Sequence, residues 1–309
     1  MTDLFPLRAL ATRRQSLGLG AAAVAMALAA PLRALAQQGS AAGGEVFVPQ
    51  TGQAGKDVIW VPTPDELVTR MLQLGGVTKN DYVIDLGAGD GKIVIAAARQ
   101  FGASGKGIEY NPDMVALAQR RAAEAGVDDK AQFEKADIFE SDFSRADVIT
   151  MYLLPSLNLK LRPTLMKLKP GTRLVTHAFT MGGWQPDETS RAGGASAYLW
   201  LVPANVSGRW RLSYPQGGQR VQTDIDVTRQ HFQFPEGTVT LGDVEGSLRD
   251  ARVSGDRVRF AFTGTDGLLR TFEGKVNGAR IEGQVSDGQR SEPFTAERRG
   301  DARVIETSE

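Results

Sequence analysis

Along residues 57–204 two hydrophobic periods alternate, one helical and one typical of buried strands. Leu67, Val68, Met71 and Leu72 share one helical face that stops at Gly75. Thr63-Pro64-Asp65-Glu66 opens it, with Thr63 as cap, Pro64 in the first position and Glu66 completing a capping box. The apolar run 82–86 predicts a strand, followed by a glycine-rich turn. A helix over about 92–101 then carries Ile93, Val94, Ala97 and Phe101 on one side. Further strands are expected over 106–109, 132–135, 147–151, 172–177 and 198–202. Among them fall a helix opened by Asn111-Pro112 and stopped by Gly126, and another marked by Leu157, Leu161, Leu165 and Leu168. Pro163 must kink the latter or shift its start. This alternation implies a doubly wound α/β domain, a mostly parallel sheet covered on both faces.

After Ala204 the period shortens. Segments 210–214, 221–227, 257–263, 271–276 and 280–285 alternate polar and apolar residues and are separated by glycine-containing turns. Asn277-Gly278 is the strongest hairpin signal among those turns. No helical pattern appears. Residues 205–300 read as a second, smaller, antiparallel all-β domain, either a barrel or a sandwich, with 301–309 as a tail.

The N-terminus has a third character. Arg13-Arg14 precedes the apolar run 17–30, and Ala34-Leu35-Ala36 supplies a small-residue cleavage site. The paired arginines match a twin-arginine export signal over 1–36, which implies a periplasmic protein with no stable span once the signal is removed. The apolar run falls short of the ~20 residues a bilayer requires, so an uncleaved membrane anchor is the alternative. Residues 37–56, rich in Gly, Ala and Gln, read as a flexible linker.

Composition narrows the chemistry. Lys and Arg together number 36, as do Asp and Glu. Without residues 1–36 the balance is 32 basic against 35 acidic, so nothing favours a nucleic-acid partner. Zero cysteines exclude thiol chemistry, and with only His177 and His231 no metal site is expected.

The informative stretch is Val83-Ile84-Asp85-Leu86-Gly87-Ala88-Gly89-Asp90-Gly91-Lys92. A ligand beyond the carboxyl end of a first parallel strand meets such a turn, where glycines let the backbone approach. A dinucleotide fingerprint needs its third glycine at the sixth position, which here is Lys92; Gly91 comes one residue early. Asp85 and Asp90 would repel a pyrophosphate. They would attract a ligand carrying an ammonium and a sulfonium. That charge argument favours S-adenosylmethionine over a nicotinamide dinucleotide.

Asp85-Leu86-Gly87-Ala88-Gly89-Asp90-Gly91 resembles motif I of class I S-adenosylmethionine-dependent methyltransferases, whose fold is Rossmann-like. The resemblance implies that Glu109, in Gly107-Ile108-Glu109-Tyr110, accepts the ribose hydroxyls and that Tyr110 covers the adenine. It also implies that Asp137, in Ala136-Asp137-Ile138, takes the adenine amino group, with Ile138 beside it. Segment 147–155 corresponds to motif IV, but Met151-Tyr152-Leu153-Leu154-Pro155 lacks the Asp/Asn-Pro-Pro-aromatic pattern of base methyltransferases. More narrowly, Val61-Pro62-Thr63-Pro64 and Glu109-Tyr110-Asn111-Pro112 are similar to the mitochondrial protein-lysine methyltransferases acting on the ATP synthase c-subunit and the adenine nucleotide translocase. That likeness implies Thr63 near the cofactor and a protein lysine, or a small amine, as acceptor.

Methyl transfer from a sulfonium demands mainly alignment and an apolar, shaped site. Tyr152, after the fourth strand, is the candidate catalytic wall, as proton acceptor or as π-face partner of the amine. His177 reads as a hydrogen-bonded structural group, Trp184, Trp200 and Trp210 as core or interface residues, and Arg120, Arg121 and Glu124 as a solvated helix face. Two alternatives stay open from the residues alone: an exported S-adenosylmethionine-binding module without efficient turnover, and an NAD-dependent oxidoreductase.

Overall fold

In the computed structural model, residues 47–308 are described. The export signal over 1–36 and the first part of the 37–56 linker lie outside them.

Five strands run parallel: β1 (Tyr82–Leu86), β2 (Ser104–Glu109), β3 (Ala131–Lys135), β4 (Val148–Met151) and β5 (Arg173–His177). Strand period sorts their apolar residues onto two faces. Val83, Val148 and Val175 meet α1 (Asp65–Leu74) and α2 (Lys92–Phe101). Ile84, Ile149 and Leu174 meet α4 (Pro155–Leu165). α3 (Pro112–Glu124) buries Val115, Ala118 and Ala122 against α2 and β3. With both faces covered, β4 is buried along its whole length.

Two antiparallel strands complete the sheet, β6 (Glu188–Ala192) and β7 (Ala195–Leu201), joined at Gly193-Gly194 with φ of 57° and 77°. That backbone is the kind a two-residue hairpin requires. The expected strand over 198–202 is therefore an antiparallel one beginning three residues earlier, and β6 carries no apolar signal because none of its residues is buried. The order is β3-β2-β1-β4-β5-β7-β6. The order in which strands are added reverses between β1 and β4, which makes the carboxyl ends of these parallel strands the switch point where ligands bind.

A second, nine-stranded antiparallel sheet follows: β8 (Gly208–Gln216), β9 (Gln219–His231), β10 (Phe234–Leu241), β11 (Val244–Ser247), β12 (Arg249–Ser254), β13 (Arg257–Thr263), β14 (Leu269–Asn277), β15 (Arg280–Ser286) and β16 (Ser291–Arg299). Near its ends, β12 packs against β10, and Leu248 N–H donates to the Gly237 carbonyl at 2.9 Å, so the sheet nearly closes into a barrel. Phe272 fills it, stacked on Phe260 at 4.9 Å and edge-on to Phe294 at 5.2 Å.

From Phe47 onward the chain is one compact unit. Phe232, at the β9–β10 turn, stacks on Trp184 with centroids 5.7 Å apart, and the Gln233 side chain donates to the Gln185 carbonyl at 2.8 Å. Ala204 N–H donates to the Gly255 carbonyl at 2.7 Å. The segment after β16 lies on this junction, where Arg162 donates to the Thr307 carbonyl at 2.8 Å.

Candidate active site

The carboxyl ends of β1, β2 and β4 open into a cleft of about 670 Å³, within the range of small-ligand sites. Thr63, Asp85, Gly87, Gly89, Asp90, Glu109, Tyr110, Asp137, Ile138 and Tyr152 all line it. Gly91 does not reach its wall. A Cβ there would stand 2.6 Å from Phe133 Cζ and 2.8 Å from Ala118 Cβ, so this glycine serves the packing of α2, α3 and β3. Gly89 is the position where the cleft needs a bare backbone, since a Cβ would lie 2.6 Å from the Trp60 indole nitrogen.

Asp85 is buried at the end of β1 and accepts the Thr150 hydroxyl at 2.7 Å. Burial pushes its carboxyl up to about 7, the Thr150 bond opposes this, and the charges of Asp90 and Glu109 add to it. Among the described residues no Lys or Arg pairs with Asp85. A cationic ligand would supply what this carboxylate lacks. Glu109 accepts from Gly89 N–H at 2.9 Å and from Asn111 N–H at 2.8 Å, so it also holds the glycine loop in place.

Three expectations need correction. Asp90 is not free to attract a cation: its carboxylate pairs with Arg121, which is therefore no mere solvated residue of α3. Thr63 does not cap α1. The N-cap is Pro64, without a side-chain bond, and the Thr63 hydroxyl meets His177 Nδ1 at 3.1 Å instead. Finally, residues 51–56 are not flexible linker. Gly52 N–H donates to the Trp60 carbonyl at 2.8 Å and Gly55 N–H to the Val58 carbonyl at 2.8 Å, and this short hairpin walls the cleft.

At the far end of the cleft Asp137 pairs with Lys56 and accepts from Phe139 N–H at 2.9 Å. The Lys56 contact holds its carboxyl below the usual carboxylate range. At the near end Tyr152 stacks on His177, centroids 3.7 Å apart, and lies 6.1 Å from Phe179. Burial brings His177 down to about 4, so at neutral pH it is an uncharged stacking partner.

Sequence reasoning passed over Lys56, Trp60, Lys92, Thr150 and Phe179. Lys92 Nζ donates to the Thr63 carbonyl at 3.0 Å and pairs with Asp65 at 2.7 Å, tying the Pro-Thr segment to the glycine loop. Only the adjacency of Trp60 to Val61-Pro62-Thr63 offered a signal.

The family model of the ANTKMT methyltransferase domain matches residues 85–188. A protein-lysine N-methyltransferase of Saccharolobus islandicus (strain REY15A) is 44% identical over 47% of this chain and 94% of that protein. The ATP synthase C-subunit lysine N-methyltransferase of Mus musculus is 31% identical over 56% of this chain and 65% of that protein. A solved RNA methyltransferase of Salinibacter ruber, in complex with S-adenosyl-L-homocysteine, is 52% identical and covers 47% of this chain and 96% of its own, with a TM-score of 0.46. The misplaced third glycine, the carboxylates of the cleft and a match that spans nearly all of the Saccharolobus islandicus protein leave the nicotinamide reading without support: this chain belongs to the same methyltransferase family as that protein and is an enzyme that uses S-adenosylmethionine.

Proposed function

We propose that the acceptor is the side-chain amine of a protein lysine. The observation that carries this reading is the aromatic wall of Tyr152 and Phe179, backed by the uncharged His177 ring, at one end of a cleft whose floor is acidic. The archaeal relative's name agrees with it. When bound, S-adenosylmethionine supplies a methyl group already activated on a cationic sulfur. Asp85 would hold its ammonium, Glu109 the ribose hydroxyls, and Asp137 with Ile138 and Tyr110 the adenine, along a loop shaped by Gly87, Gly89 and Gly91. Thr63 lines the cleft with its hydroxyl bonded to His177, on the acceptor side.

The protein's own task is to present a neutral amine in line with that methyl group. A free lysine side chain has a pKa near 10.4, and an apolar wall disfavours its charged form. The Tyr152 hydroxyl accepts a hydrogen bond from the incoming amine, or as phenolate takes the proton of its ammonium to become phenol, while neutral His177 behind it adds no repelling charge. Residues 1–36, with Arg13-Arg14 ahead of an apolar run and Ala34-Leu35-Ala36, support export of the enzyme to the periplasm as part of the same proposal.

The test is transfer of labelled methyl from S-adenosylmethionine to lysine-bearing peptides, with arginine-substituted peptides as the control. We expect label on lysine peptides alone. We further expect Tyr152→Phe to lower kcat on the order of a hundredfold, the low end of general acid–base contributions, and to move the pH optimum upward. Full turnover with an unchanged pH profile in Tyr152→Phe would remove the proton-acceptor role. Label on arginine peptides as well would remove the lysine assignment.

A further inference from the structure

The hairpin over 51–60 is closed on itself: Gly52 and Trp60, Gln53 and Trp60, and Gly55 and Val58 are joined by backbone hydrogen bonds of 2.8–2.9 Å. It is therefore an internally bonded unit, not loose chain. It touches the cleft at two points. The Trp60 indole lies on bare Gly89, where any Cβ would collide with it. At the tip, the Lys56 ammonium pairs with Asp137 and sits 4.7 Å from the centroid of the Tyr110 ring, which is 48% exposed.

These touched residues belong to one half of the cleft. Gly89 is in the glycine loop, and Tyr110 and Asp137 are the pair proposed above to receive the adenine. The hairpin makes no such contact with Tyr152 or His177 at the acceptor end. We propose that the 51–60 hairpin is a clasp over the nucleoside half of the cleft, with the Lys56–Asp137 ion pair as its catch, and that Lys56 sets how long cofactor and product stay bound. The idea rests on the adenine lying between Tyr110 and Asp137. Asp137 can serve both groups, because each carboxylate oxygen has two acceptor positions. Its Oδ2 holds Lys56 while Oδ1 takes the Phe139 N–H, and each keeps one free.

Lys56 is 36% exposed and Asp137 16% exposed, so the catch is a weak one that opens readily and is sensitive to ionic strength. An ion pair of this kind changes an opening equilibrium by roughly up to fivefold. The experiment is a stopped-flow chase of bound S-adenosylhomocysteine and S-adenosylmethionine from the full-length protein, with equilibrium affinities measured alongside. For Lys56→Met we expect both ligands to leave about fivefold faster. Added salt should speed release from the parent and leave the variant unaffected.

Unchanged release rates overturn the clasp. So does slower release with tighter binding, which would mean that Lys56 competes with the adenine. Asp137→Asn separates the clasp from the reading beneath it. A larger loss of affinity there than in Lys56→Met supports both. A loss there with none in Lys56→Met sinks the clasp alone. An equal effect in the two variants keeps the clasp and removes the adenine contact.

Discussion

Asp85→Asn is expected to melt several degrees above the parent at pH 8 while binding S-adenosylmethionine roughly a hundredfold more weakly. Both effects come from one buried carboxyl. In the folded protein it titrates near 7, against an ordinary value of 3.8. A raised carboxyl stabilises the fold fully below the unfolded value and loses that contribution as pH climbs through the folded one. Well above pH 7 the ligand-free protein therefore carries a penalty of about 4 kcal/mol, from 1.36 kcal/mol per pH unit. Asparagine keeps an oxygen for the Thr150 hydroxyl and removes the charge. For a chain of this size each kcal/mol moves Tm by about 2–4 °C.

Binding moves the other way. A hydrogen bond to a charged group contributes about 1.5–3 kcal/mol, or roughly ten- to 150-fold in affinity. A cation beside Asp85 also lowers its pKa, so binding below pH 7 releases a proton. The parent's Kd should fall as pH rises from 5 to 7 and then level off. The variant's Kd should be flat over that range. His177, held near 4 by burial, destabilises the fold as pH drops from 6.5 toward 4. Comparing variant with parent cancels that contribution. Calorimetric titration across pH, with melting curves, checks both halves; a variant no more stable at pH 8, or one retaining the parent's pH slope, would contradict the account of Asp85.

The second large effect is on folding. Gly91→Ala should lower stability by about 2–5 kcal/mol, read as the urea midpoint, and Gly126→Ala by only about 1–2 kcal/mol. Both glycines have positive φ, 81° and 66°. Around Gly126 no atom lies within 4 Å of the place an added methyl would take, whereas at Gly91 the methyl meets buried Phe133 and Ala118. The difference isolates crowding from backbone strain. Equal losses at the two sites would show that backbone conformation alone makes Gly91 a glycine.

Most of the α/β sheet was legible because its strands are buried and its helices amphipathic, so apolar spacing reports them directly. β6 was not, since all five of its residues are at least partly exposed and its place comes from pairing with β7. The same holds in the second sheet. β10 contains Pro235 and Gly237, β11 buries nothing, β12 buries only Val253, and β16 buries only Phe294 and Ala296. These strands exist because a neighbour offers a ladder, an interaction that no local pattern records. Near-closure, too, separates barrel from sandwich only once β12 has met β10.

The cleft divides along the same line. Residue type and spacing alone determined the acidic glycine loop after β1 and the carboxylate ending β2, and weighed against a dinucleotide, because backbone geometry and charge sign are local properties. Only the folded chain decided which partner each carboxylate meets. Arg121 pairs with Asp90 from 31 positions away and Lys56 with one oxygen of Asp137 from 81, while Asp85 is left with a hydroxyl. Side-chain partners across a cleft follow from distance in space, which the order of residues does not carry, and so do the hairpin over 51–60 and the Thr63 bond to His177.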